Sequence, residues 1–163
     1  MSDHKHRRRE RAAENGAILQ QVGALPYRIS KDGGLEVMLI TSRQTKRFTL
    51  PKGWRMKGKK DHKAARIEAM EEAGVEGKIA RQSIGSYFYW KRTDRCFIPV
   101  RVTVYPLEAK RTRSRWKERD QRIRKWLQPE DAALLVDEPE LMTLLHQAGS
   151  NGGDAPFSDD NKN

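Results

Sequence analysis

LPKGWRMKGKKDHKAARIEAMEEAGV, the stretch from Leu50 to Val75, sets three carboxylates on one helical face directly after a loop rich in glycine and lysine. Asp61 is placed to cap the helix and Gly74 to stop it, and nothing from His62 to Ala73 breaks it. At about 100° per residue, Glu68, Glu71 and Glu72 fall within an arc of roughly 100°, with only Ala64 and Ala65 beside them. Ile67, Ala69, Met70 and Ala73 fill the opposite, apolar side. Like charges three and four residues apart weaken an isolated helix by a few tenths of a kcal/mol per pair, so this clustering calls for a compensating cation. A hard divalent metal with oxygen ligands suits it, and Mg²⁺ typically bridges one or two carboxylates to substrate phosphates. Alone, an EEAG string is an ordinary solvated helix end; the spacing back to Gly53 distinguishes this one.

Counted from Gly53, the segment resembles the Nudix box: Gly, five residues, Glu, seven residues, Arg-Glu, an aliphatic, any residue, Glu-Glu, any residue, Gly and an aliphatic. Gly53, Glu68, Glu71, Glu72, Gly74 and Val75 are in register, and Lys59 and Ile67 stand where the pattern has its first Glu and its Arg. The resemblance implies that those two pair with each other, so losing both removes an ion pair without stranding either charge, which can be nearly neutral. It extends from Ala17 to Gln147. Thr41 to Arg43 (TSR), Leu50 to Trp54 (LPKGW) and Arg122 to Ala132 (RIRKWLQPEDA) resemble bacterial diphosphoinositol polyphosphate and diadenosine polyphosphate phosphohydrolases.

That resemblance implies an α/β fold, an α/β/α sandwich around a central mixed β-sheet, and a Nudix hydrolase acting on phosphorus-containing acid anhydrides. The expected substrate is a polyphosphorylated small molecule, a dinucleoside polyphosphate or a diphosphoinositol polyphosphate, and the expected cofactor is Mg²⁺ or Mn²⁺. Glu68 and Glu72 would ligate the metal with the backbone carbonyl of Lys52, and Glu71 or Glu68 would act as base; Glu118 is a further candidate ligand. Arg43, Lys52, Arg92, Arg122 and Arg124 would bind substrate, with Arg55 and Lys57 nearby in the loop. Relatives that act on inositol pyrophosphates tend to carry basic residues on the first strand, where this chain has Gln20 and Gln21. The alternatives are removal of pyrophosphate from RNA 5′ ends, a Nudix fold used for binding without catalysis, and a basic nucleic-acid-binding protein.

At 163 residues the chain is long enough for one domain with a substantial core. Its formal net charge of +11 favours polyanionic partners: polyphosphates, nucleic acid or an acidic membrane surface. The single cysteine, Cys96, excludes an intramolecular disulfide framework and suits a reducing cytoplasm. No apolar run approaches the roughly 18 residues of a membrane span, and the charged N-terminus lacks a signal peptide's apolar segment. The expectation is a soluble cytoplasmic protein with no membrane partner. Residues 1–16 read as a basic flexible arm able to touch RNA, 17–147 as the hydrolase domain, and 148–163 as a disordered tail.

Within the domain, apolar runs from Ala17 to Ile29 and Leu35 to Thr41 predict strands joined by a turn at Lys31 to Gly34. Short strand character from Phe48 to Leu50 ends at Pro51. Lys78 to Trp90 and Cys96 to Tyr105 predict a hairpin with Lys91, Arg92 and Arg95 at its tip. Of the aromatic run Tyr87 to Trp90, at most alternate residues could stack on a ligand. A charged loop with Trp116 and Glu118 then leads to a strand from Arg122 to Leu127, with Trp126 in the core. Two proline-opened helices, Pro129 to Val136 and Pro139 to Gln147, would pack Leu134, Leu135, Leu141, Leu144 and Leu145 on the sheet.

Overall fold

A computed structural model describes residues 2–151 and 157. A helix, α1 (Ser2–Glu14), precedes β1 (Leu19–Ile29), β2 (Leu35–Thr41), β3 (Phe48–Thr49) and β4 (Lys52–Trp54). Helix α2 (Asp61–Glu68) runs straight into a π-helical turn, Ala69–Ala73, and β5 (Val75–Ile79) follows. Then come β6 (Gly85–Arg92), β7 (Phe97–Thr112), β8 (Arg124–Leu127), α3 (Pro129–Ala133) and α4 (Pro139–Ser150). The strands form one sheet in the order β3-β2-β1-β7-β5, with β4 on β1, β6 on β7 and β8 on β2. Among the pairings of the described residues only β1 and β7 run parallel, so the sheet is mixed as expected.

Strand alternation divides the core into two layers. Val37 and Leu39 of β2 face α3 and α4, packing with Val100, Val102, Val104, Leu141 and Leu145. Met38 and Ile40 face α2, packing with Val22, Ala24, Ala64, Ala65, Ala69, Ala73 and Val75. A helix on each face makes the α/β/α sandwich. The buried apolar side chains of α2 and its π turn are all alanines, so the helix sits close to the sheet but gains little from burial. At about 25 cal/mol per Å² of apolar surface, a buried alanine contributes far less than the leucines of α4, and polar ties must hold this helix in place.

Several sequence expectations change. The strand expected from Lys78 to Trp90 is two, because β5 pairs with the far end of β7 and β6 with its near end. The loop around Gly53 forms β4, which pairs with Gln21 to Gly23. Asp61 is not the cap: Lys60 holds that position, and Asp61 opens the helix in an ion pair with Arg55 at 3.0 Å. Leu134 is 77% exposed and Leu135 is also exposed, so the stripe on the sheet is Leu141, Leu144 and Leu145. Trp126 is half-buried beneath the Arg28 guanidinium, 4.2 Å from its ring centroid.

The described parts of the expected arm and tail carry structure next to the domain. The basic N-terminal segment is helical, and Arg9 lies 3.9 Å above the Trp54 ring. Helix α4 continues through Gly149 to Ser150, and Phe157 packs on the Tyr27 ring at 4.8 Å; residues 152–156 and 158–163 of the predicted tail lie outside the described residues. No helix among the described residues is long and apolar enough to cross a membrane.

Candidate functional site

The acidic face is built by the junction of α2 with the π turn, a local widening that often marks functional helices. Gly74 ends the turn in the left-handed conformation, φ 65°, where a Cβ would also meet the Trp116 ring at 2.8 Å. Glu68 approaches the backbone of β4 so closely that a Cβ on Gly53 would overlap its carboxylate. Glu72 is buried: its Oε2 accepts from the Lys52 backbone N–H at 3.1 Å and its Oε1 from Arg122 Nη2 at 2.8 Å. Glu71 meets Lys117 at 3.5 Å.

The last carbonyls of a helix need outside donors, and the loop before β8 and the first residue of β8 supply them. Glu118 N–H donates to Glu71 O at 3.1 Å, Trp116 Nε1 to Glu72 O at 3.1 Å, and Arg124 Nη1 to Ala73 O at 2.9 Å. Arg124 also stacks on Trp116, 4.0 Å from the ring centroid. A tryptophan inside a run of charged residues was the sequence signal for this cap, since such a ring must find cover.

A cleft of about 930 Å³ reaches the acidic face at Glu72. Of the residues singled out in the sequence, Arg43, Lys52, Arg92 and Arg122 line it, while Arg124, Glu68 and Glu71 do not. Arg124 caps the π turn, and its side chain is turned to the Ala73 carbonyl and the Trp116 ring instead of this cleft. Arg122 borders the cleft, but both its Nη atoms serve protein acceptors: Glu72, Glu118 and the Thr41 carbonyl. Burial lowers the Lys52 ammonium to about 8, with Glu72 opposing and Lys91 and Arg122 assisting, and its Nζ lies 5.0 Å from the Tyr89 ring centroid. Lys91, half-buried on the cleft wall, is likewise lowered by burial and then by Arg43.

Sequence reasoning missed Arg47 and Glu138, which also line the cleft; Arg47 bridges to Asp137 at 2.6 Å and to Glu138 at 4.0 Å. These residues lie some 90 positions apart, so no spacing could show the contact. The ring contacts of the aromatic run alternate along the strand, but the cleft is bordered by three consecutive members of it and not by alternate ones. Tyr87 and Tyr89 pack on each other, Phe88 and Trp90 meet edge to face at 5.3 Å, and Phe88, Tyr89, Trp90 and Phe97 line the cleft.

Charge decides whether this site suits a divalent cation. Burial, then Glu72, Glu71 and Glu118, push the Glu68 carboxyl up to about 8, and no hydrogen bond or ion pair to Glu68 is formed among the described residues. Burial also raises Glu72, against the opposing pull of Lys52 and Arg122. No three His, Cys, Asp or Glu side chains among the described residues are gathered closely enough to enclose an ion as they stand. The donor set and the shortage of positive charge at Glu68 nonetheless fit an oxygen-bound metal.

No protein-family model matches the chain. It is 35% identical over 129 residues to the chloroplastic Nudix hydrolase 21 of Arabidopsis thaliana, covering 77% of this chain and 64% of the relative. Against the mitochondrial Nudix hydrolase 16 of the same plant it is 31% identical over 145 residues, covering 81% and 79%. The chain thus spans just under two thirds of the length of some curated relatives it matches. Among solved structures it is similar to a binary complex of the Ap4A hydrolase of C. elegans, with TM-score 0.61 and 25% identity over 79% of this chain and 93% of that one.

Proposed function

The chain belongs to the Nudix hydrolase family, and from that premise we propose that it is a divalent-metal-dependent pyrophosphohydrolase of polyphosphorylated small molecules, dinucleoside polyphosphates before diphosphoinositol polyphosphates. The observation that carries this reading is Glu68: a half-buried carboxylate with no hydrogen bond or ion pair among the described residues, set against Gly53 in a cluster of acids. Glu68, Glu72 and the Lys52 carbonyl would hold Mg²⁺ or Mn²⁺. When bound, such an ion neutralises phosphate charge and lowers the pKa of a water molecule.

The remaining work falls to the chain's own groups. Glu71, restrained by Lys117, is the candidate to orient and deprotonate the attacking water. Arg43, Lys52, Lys91 and Arg92 line the cleft that opens on Glu72 and would hold the phosphates that are not cleaved. Phe88, Trp90 and Phe97 also line the cleft, and Trp90 and Phe97 are 57% and 63% exposed. Rings beside cations suit a nucleobase joined to a phosphate chain. An inositol has no such face, and the buried Gln21, held by the Tyr89 hydroxyl at 2.7 Å, adds no charge for its phosphates.

The test is product release from dinucleoside polyphosphates, inositol pyrophosphates and nucleoside triphosphates with Mg²⁺ or Mn²⁺. Turnover of the first group ahead of the others is expected; no turnover with any metal sinks the reading. One observation favours RNA 5′-end hydrolysis as a second reading: Arg9 of the basic α1 sits on Trp54 and is among the charges acting on Lys91 in the cleft. Faster cleavage of 5′-triphosphorylated RNA than of free nucleotides would select it. The lone exposed thiol of Cys96 fits a cytoplasmic setting.

A further inference from the structure

We propose that Arg122 is the positioning residue for Glu72, supplying from outside the catalytic helix the counter-charge that this helix lacks; the proposal rests on the metal-dependent reading above. The helix cannot neutralise Glu72 itself. Ile67 stands at the box position that would carry an arginine, and Lys63 and Arg66, the cations nearest the acids on α2, are exposed. Of the three acids only Glu72 is buried, and a buried carboxylate left unpaired is strongly destabilising.

Arg122, just before β8, meets that need. Its side chain is 6% exposed, and Nη2 lies 2.8 Å from Glu72 Oε1 and 3.3 Å from Glu118 Oε1. Nη1 donates to the Thr41 carbonyl at 3.0 Å, which ties the guanidinium to the end of β2. Its Nε is buried without a hydrogen-bond partner among the described residues. A guanidinium that leaves its own Nε unsatisfied while directing both Nη groups at protein oxygens is set for orientation, not for phosphate capture. Glu72 is consequently held at two points, by the Lys52 N–H at the start of β4 and by Arg122 from the segment before β8. Glu118 shares the same nitrogen, so Arg122 also fixes the distance between the π turn and the loop that caps it. Lysine cannot reproduce this arrangement, because a single ammonium on a flexible stem lacks the planar fork that reaches three acceptors at once.

Groups that orient metal ligands typically change metal affinity 10- to 100-fold when removed. The experiment measures Mn²⁺ binding by electron paramagnetic resonance, with kcat and KM on the preferred polyphosphate, for the wild-type chain, Arg122→Lys and Arg122→Met. In Arg122→Lys, which keeps the buried charge, Mn²⁺ binding should weaken about tenfold or more, and kcat should fall with KM changed less than about threefold. Arg122→Met should lose more, and if it fails to fold Arg122→Lys decides alone. Mn²⁺ affinity in Arg122→Lys within about twofold of wild type, or a loss confined to KM as expected of a phosphate ligand, overturns the proposal. Failure of the wild-type chain to bind Mn²⁺ overturns both this proposal and the metal-dependent reading, whereas intact wild-type binding with an unaffected Arg122→Lys overturns this one alone.

Discussion

At Gly53 the absence of a side chain is what lets Glu68 lie against β4, since a Cβ there would overlap the carboxylate. In Gly53→Ala the carboxylate must move by about a methyl's width, and misplacements of that size cost catalysis on the order of 100-fold. We expect kcat to fall about that far while the circular dichroism spectrum stays native; unchanged kcat would separate Glu68 from the chemistry. Gly53, Glu68, Glu72 and Gly74 were legible because chain-local spacing relates them. The contact of Arg124 with the π turn was not, because its side chain's direction depends on the pairing of β8 with β2, where it sits opposite Ile40. The same pairing, invisible in sequence, sends Arg122 to Glu72 and Arg124 to the back of the π turn.

At the scale of one element, the periodicity from Asp61 to Ala73 read as a continuous α-helix, and the chain departs from it at Ala69. Helical spacing cannot reveal a π turn whose carbonyls are capped by residues more than forty positions away, as Trp116 caps Glu72. Trp116→Phe keeps the ring and removes that donor, and should lower unfolding stability by about 1 kcal/mol, the net value of one hydrogen bond. Chemical denaturation reads the change, and none at all would mean that the indole acts only through packing. The acids of this element also predict a pH dependence. Glu68 titrates at about 8 in the folded chain against an ordinary 4.5, so the folded state binds the extra proton between those values. Its contribution to stability is complete below 4.5 and is lost as pH rises through 8. With metal chelated, the melting temperature attributable to this site should fall across that window, and Mn²⁺ should flatten the fall by competing with the proton. A chelated protein that melts higher as pH rises through the window would contradict this.

Across the whole molecule, residues from three stretches remote in sequence converge on one cleft: Ser42 to Thr45 with Arg47 to Thr49, Phe88 to Arg92 with Phe97, and Asp137 to Pro139. Alternation and turns made individual strands readable and the resemblance to the Nudix box implied the sandwich, but the parallel pairing of β1 with β7 could not be read from either strand alone. The net charge of +11 said only that an anion would be welcome; the cleft adds an aromatic wall in which Trp90 and Phe97 are largely uncovered, and its lining also includes Lys91 and Arg92. Stacking one base on an aromatic ring is worth about 1–3 kcal/mol, whereas phosphate contacts do not distinguish a nucleotide from an inositol. Trp90→Ala should therefore raise KM for a dinucleoside polyphosphate about tenfold, within that range, and leave KM for a diphosphoinositol polyphosphate unchanged. Because Trp90 is mostly solvent-exposed and core contacts do not depend on it, stability should not move. Equal losses on both substrates would make the wall a general support of the cleft, and loss on the inositol substrate alone would reverse the order of preference proposed here.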